Sequence, residues 1–154
     1  MSKRDYVEEN EASRRDLAEL IARLEEREFQ CAVGSGWTVA TSLCHLAFWD
    51  QRALFLLREW QGGPFEPSQL GSQSVDAINE AVKVISEAVP GPAAGKLALE
   101  SAAAADSLVA SLTDELAERI VWAGYERYLK RSLHRREHFE KIEEALGRKS
   151  AGAA

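Results

Sequence analysis

From Val39 to Trp49 the chain reads Val-Ala-Thr-Ser-Leu-Cys-His-Leu-Ala-Phe-Trp, and apolar side chains fall on nearly every face of a helix wound through it. A helix that is apolar all round is buried on all sides, so other helices have to surround it. This segment is therefore the central helix of a bundle. Trp37-Thr38 opens it, with the Thr38 hydroxyl placed to cap the first turn. It ends near Trp60, ahead of the stop signal Gly62-Gly63-Pro64.

The neighbours of that helix follow from periodicity. Between Lys3 and Glu28, Val7, Leu17, Leu20, Ile21 and Leu24 recur at helical spacing among many charges, which predicts an amphipathic helix; Asn10 and Ser13 offer caps for a later start. Gly34-Ser35-Gly36 breaks the chain before the central helix. Gly63 to Gly71, with two prolines, reads as a loop long enough to cross the end of a bundle or cover a site. Val75, Ile78, Val82, Ile85 and Val89 mark a third helix over 74–89, closed by Pro90-Gly91-Pro92. An alanine-rich fourth pattern runs from Ala94 to about Leu112, suited to close packing inside the bundle or across a subunit interface. Thr113 then caps a short turn of helix. A long last helix is expected from Tyr125 to Leu146, with Gly147 ending it and Arg148 and Lys149 near the negative end of its dipole. No convincing strand is visible. The fold class expected is all-α: a single four-helix bundle domain over residues 1–149, with one or two extra short helices and a frayed tail over 150–154.

Composition narrows the partners. The formal net charge of -6 argues against a nucleic acid held by broad electrostatic attraction. No stretch approaches the roughly 20 apolar residues that span a bilayer, so no membrane partner is expected. The N-terminal residues contain no apolar signal core, and two cysteines, Cys31 and Cys44, make no disulfide framework. Both point to a cytoplasmic location.

Against that background the histidines carry the chemistry. The chain has only three. His134 and His138 are four apart in the last helix, one turn above the other on a single face, where two imidazoles can grip one ion. His45 lies on the central helix and reaches the same ion only through the fold. Neutral imidazole suits zinc and also nickel, iron and copper. Three such ligands leave a coordination position open, as catalytic sites do. His138 shares a face with Ile142 and Ala145, which points it to the core. His45 is followed by Trp49 and Arg52 along its own stripe. The expected picture is an ion at the border of the core, with Trp49 at its mouth and Arg131 placed to meet an anionic substrate or thiol. The four tryptophans are expected in core and pocket walls. The sequence His134-Arg135-Arg136-Glu137-His138 lacks the internal glutamate with which zinc proteases activate water, so that mechanism is unsupported. For hydrolysis by a bound hydroxide, Asp50 and Glu137 are the nearest candidate bases in sequence.

Two segments are familiar. Gly36-Trp37-Thr38 followed by Leu43-Cys44-His45-Leu46-Ala47-Phe48-Trp49-Asp50 resembles the second-helix motif of the DinB-like superfamily, and His134 to His138 with Ile142 resembles its closing histidine pattern. Related families include mycothiol-dependent maleylpyruvate isomerases and bacillithiol-linked transferases. The resemblance covers residues 10 to 147. It implies a four-helix bundle of up-down-down-up connectivity, usually a homodimer, with His45, His134 and His138 as ligands to a divalent metal. Zinc or nickel comes first, with iron or manganese as further choices. It also implies a low-molecular-weight thiol, used for S-transfer or isomerisation of a small electrophile. The alternative is a non-catalytic dimeric bundle for small-ligand binding or protein interaction. One departure is an extra helical stretch within residues 63–95.

Overall fold

The computed structural model describes residues 1–148. The expected tail over 150–154, and Lys149, lie outside the described residues. Six α-helices are found there: α1 (Lys3–Arg23), α2 (Val39–Gly62), α3 (Ser72–Ser86), α4 (Gly91–Ser111), α5 (Asp114–Trp122) and α6 (Ser132–Ala145). Their order and pairing confirm an all-α bundle.

Side-chain pairs give the direction of each helix. Gln51 bonds Ser101 at 3.1 Å and Gln61 bonds Ser111 at 3.2 Å, a constant offset, so α2 and α4 run parallel. Asn10 meets Ser132 and Arg23 meets Glu143, so α1 and α6 also run parallel. Lys3 reaches the Leu112 carbonyl and Arg14 reaches Asp106, so α1 opposes α4. Helices α1, α2, α4 and α6 thus form an up-down-down-up bundle. Two parallel neighbours in sequence need a return path, and α3 supplies it. Trp49 bonds Asn79 while Lys83 lies over Trp37, so α3 climbs back along α2 before α4 begins. The extra stretch within 63–95 is therefore the crossover that makes this topology possible.

Local chemistry sets most ends where expected. Thr38 caps α2 in a reciprocal box with Thr41, and Thr113 caps α5 through the Leu116 amide. Helix α1 starts at the Ser2 cap, whose hydroxyl pairs with Asp5, and not at Asn10 or Ser13. It stops at Arg23. Residues Glu26–Gln30 form a separate 3₁₀ turn that seats Phe29 in the core. Contrary to the expectation of no strand, Ala32–Gly34 (β1) and Trp37–Thr38 (β2) pair as an antiparallel hairpin. Its two turn residues, Ser35 and Gly36, have φ of 54° and 79°, the positive values a tight hairpin turn requires. Strands this short show no alternation from which to read them.

The last helix is shorter than expected. Glu126–Tyr128 is a 3₁₀ turn, and α6 begins only at Ser132. The cause is tertiary. The Asn10 side chain, fully buried, donates to the Leu129 carbonyl at 2.7 Å and accepts from the Ser132 amide at 2.9 Å, so one amide satisfies both sides of the break.

The core is two apolar halves with a polar layer between them. Leu17, Leu20, Phe29, Val39, Leu43 and Ile142 fill one half; Tyr6, Leu57, Trp60, Val109, Ile120 and Leu129 fill the other. Ala94, Ala98, Ala102 and Ala105 are all buried, which places the alanine face of α4 inside the bundle. Three apolar expectations are corrected. Ile85 is 71% exposed, because α3 turns Val82 and Ser86 inward. Trp122 is 92% exposed at the end of α5. Ala145 is exposed at the end of α6, whose core contacts come from Ile142, with Phe139 and Leu146 packed beside it.

Candidate metal centre

Helix α2 carries His45 on a turn flanked by the fully buried Leu43 and Leu46, so its ring has little freedom to leave the bundle interior. Helix α6 carries His134 and His138 one turn apart and faces α2. The three rings converge. Centroid separations are 4.8 Å for His45–His134, 4.6 Å for His45–His138 and 4.8 Å for His134–His138. One nitrogen from each lies within 4.8 Å of the other two. The edge of Trp37 lies against His45 at 5.2 Å, and Trp49 approaches it at 6.4 Å. The hairpin thus has a use: it carries Trp37 to the site.

Electrostatics keep the imidazoles neutral. Burial lowers the His45 pKa to about 4, with Lys141 adding to the effect. Burial, then His45 and Lys141, lowers His138 to about 3. His134 is pushed lower still by burial, then by the other two histidines and by Arg131 and Arg127. At neutral pH all three offer lone pairs, the form a metal requires. Only one hydrogen bond joins them, His45 Nε2 to His134 Nε2 at 2.9 Å. Imidazoles on one tetrahedral ion at about 2.0–2.1 Å stand roughly 3.3 Å apart, so a small adjustment of rotamers suffices. The donor set therefore fits, and the three histidines could hold a metal ion. His45 Nδ1 is buried without a hydrogen-bond partner. The carboxylate or carbonyl that commonly steadies a ligand histidine is absent at this position, and Trp37 and Trp49 steady the ring by packing instead.

Below the histidines lies a layer of buried charge. Asp50, one turn on from His45 and 2% exposed, accepts from Arg131 Nε at 2.8 Å and from Arg135 Nε at 3.2 Å. Arg135 is 1% exposed and spends its remaining donors on Asp106, at 2.7 and 3.0 Å, and on the carbonyls of Asn10 and Ala102. Burial alone would lower the Arg135 pKa, but Asp50 and Asp106 outweigh it and hold it above its ordinary value. Arg14 closes the network on Asp106 at 2.9 Å. All four bundle helices contribute to this layer.

Two cavities flank the triad. One, of about 410 Å³, is walled by Trp49, Arg52, Val75, Asn79, Tyr128 and Arg131 as well as by His45 and His134. The other, of about 560 Å³, is reached past Trp37, Ser42, His138 and Lys141. Trp49 is where the sequence suggests, with its indole N–H held by Asn79 at 2.9 Å. Arg131 also lines the first cavity, as the sequence suggests, with its Nε bound to Asp50 at 2.8 Å and its Nη1 to the Arg127 carbonyl at 2.9 Å. Neither candidate base is poised for hydrolysis: Asp50 is held by two arginines, and Glu137 is exposed and pairs with Arg127. Cys44 packs in the core beside the site.

Sequence reasoning gave Arg135 and Asp106 no role and read Asn10 only as a candidate cap. A signal was present. Tyr6, Asn10, Ser13, Leu17 and Leu20 are spaced 4, 3, 4 and 3, which sets two polar residues inside an apolar stripe. Asp106 is likewise the lone charge among the alanines and leucines of 101–112.

Comparison with known proteins adds the lineage. The family model for the DinB superfamily matches residues 9–139. No curated protein and no solved structure matches the chain. The matched span begins in the second turn of α1 and ends one residue past His138, taking in α2, α3 and α4 between them; the chain belongs to the DinB superfamily.

Proposed function

We propose that this protein is a divalent-metal enzyme whose ligands are His45, His134 and His138, acting on a small electrophile by thiol-dependent S-transfer or isomerisation. The observation that carries the reading is the convergence of three neutral, largely buried imidazoles between two cavities of ligand size. When bound, a divalent ion supplies a Lewis acid that lowers the pKa of a coordinated thiol or water. The chain's own groups do the rest. Trp37 and Trp49 shield the triad from bulk water on two sides. Asp50 anchors Arg131 and Arg135, and through them the helix that carries two of the ligands. Three protein ligands leave room for a thiol, and zinc and nickel are the ions best matched to imidazole with a thiolate. No helix among the described residues is long and apolar enough to cross a membrane. A cytoplasmic homodimer completes the reading.

Elemental analysis of tag-free protein tests it. About one equivalent of metal per chain is expected, lost in His138→Ala. In the cobalt-substituted protein, addition of a small thiol is expected to shift the visible absorption. No metal after reconstitution with zinc, nickel, iron and manganese overturns the reading and leaves a helical binding module.

A further inference from the structure

The cavity on the His134 side carries a charge that the rest of the molecule does not. The chain is acidic overall, at -6, yet three arginines and no carboxylate line this cavity. Two of the three are already matched: Arg131 by Asp50 at 2.8 Å, and Arg127 by Glu137 at 3.5 Å. Arg52 is not. Among the described residues it has no carboxylate within ion-pair distance, and its one protein hydrogen bond goes from Nη1 to the Tyr128 hydroxyl at 2.6 Å. Its guanidinium is held in place by two rings, 5.5 Å from the centroid of Trp49 and 5.8 Å from that of Tyr128. A cation fixed in this way has its remaining N–H groups free and loses little entropy on binding. Because Tyr128 accepts from Arg52, its own proton is free to donate to the same anion.

Position adds the second half. Arg52 follows His45 by seven residues on one stripe of α2, two helical turns and roughly 10 Å along the axis. A ligand that engages both is elongated, with an anion at one end and its reacting atoms at the other. Trp49 and Val75 give it an apolar waist, and about 410 Å³ accommodates a small organic molecule. One unmatched guanidinium suits one negative charge. A planar carboxylate fits the fork of an arginine with a tyrosine proton beside it, whereas a phosphate dianion calls for more donors than are free here.

We infer that this cavity is a carboxylate-recognition subsite, with Arg52 and Tyr128 as the specificity-determining pair, so that the substrate or thiol served by the histidine site is a small monocarboxylate reaching about two helical turns. This deepens the metal-enzyme reading and rests on the same site.

The test is titration of the full chain as purified with 4-phenylbutyrate, its amide and 3-phenylpropylphosphonate, followed by calorimetry and tryptophan fluorescence. Metal content is measured on the same samples. The acid is expected to bind at least tenfold tighter than the amide. Arg52→Gln is expected to reduce that preference to less than twofold with the amide unaffected, and Arg52→Lys to give an intermediate value. Equal binding of acid and amide, no binding of either, or a preference that survives Arg52→Gln overturns the inference; the last result means that another group of the site holds the carboxylate. A tenfold preference for the phosphonate overturns the assignment to a carboxylate. An arginine-dependent preference in a chain that takes up no metal even after reconstitution with zinc, nickel, iron and manganese upholds the subsite and refutes the metal reading, so the two fail separately.

Discussion

The three imidazoles are the residues on which pH acts most directly. In the unfolded chain each titrates near 6.5, while in the fold His45 and His138 are lowered to about 4 and about 3 by burial. Below pH 6.5 the unfolded state therefore binds more protons than the native state, so stability falls as the pH falls. The window runs from about 6.5 down to the folded values. Chelator-treated protein is expected to lose urea resistance between pH 7 and pH 5, and a His45→Gln/His134→Gln/His138→Gln variant is expected to lose much less. An equal decline in both would show that the acid sensitivity lies elsewhere. Metal affinity of the folded protein is expected to hold down to about pH 4 and to fall below it, where protons begin to compete with the ion for the lone pairs of His45 and His138.

At the scale of elements, the buried ionic layer sets how the helices meet. Arg135 on α6 binds Asp50 of α2, Asp106 and a carbonyl of α4, and a carbonyl of α1, so a slide of any one helix breaks a charged contact. Removing one member leaves the others buried without partners, at a cost of about 3–5 kcal/mol. Arg135→Ala is expected to destabilise the protein by about that amount in urea unfolding, while Arg136→Ala, on the exposed face of the same helix, shifts it by less than about 0.5 kcal/mol. Comparable values for the two would remove the structural role of the layer. A second contact joins α4 to the 3₁₀ turn. A Cβ on Gly91 would run into the Phe29 ring, so Gly91→Ala is expected to cost about 1–3 kcal/mol although alanine is the better helix former. Thermal melting of the variant decides it: an unchanged or raised midpoint would mean that Phe29 has room to move.

For the whole molecule, the site is a product of connectivity. The parallel pairing of α2 with α4 requires the return run of α3, and that run walls the cavities with Val75, Asn79 and Asp76. An ion held between His45 and the two histidines of α6 would tie together helices nearly ninety positions apart in the chain. By mass action it stabilises the fold by about 2.7 kcal/mol at a hundred times its Kd. Zinc or nickel is expected to raise the melting temperature of the wild type by several degrees and to leave that of His138→Ala unchanged. Equal shifts would place the ion outside the triad.

Much of this was legible in the residues alone, because helices announce themselves locally. The all-round apolar run at Val39–Trp49 marks a buried helix, Thr38 and Thr113 cap where hydroxyls should, and the glycine and proline breaks separate the segments. The spacing of His134 and His138 puts two candidate ligands on one face because 3.6 residues make a turn. What depends on distant partners was not legible. The break before α6 exists because Asn10 answers the backbone there from more than a hundred residues away. Arg135 resembles its surface neighbours in sequence and is buried because Asp50 and Asp106 come to meet it. Periodicity reports which face a side chain occupies, but only the packed structure decides what that face meets, and it is the meeting that makes a charge a structural tie and three histidines a site.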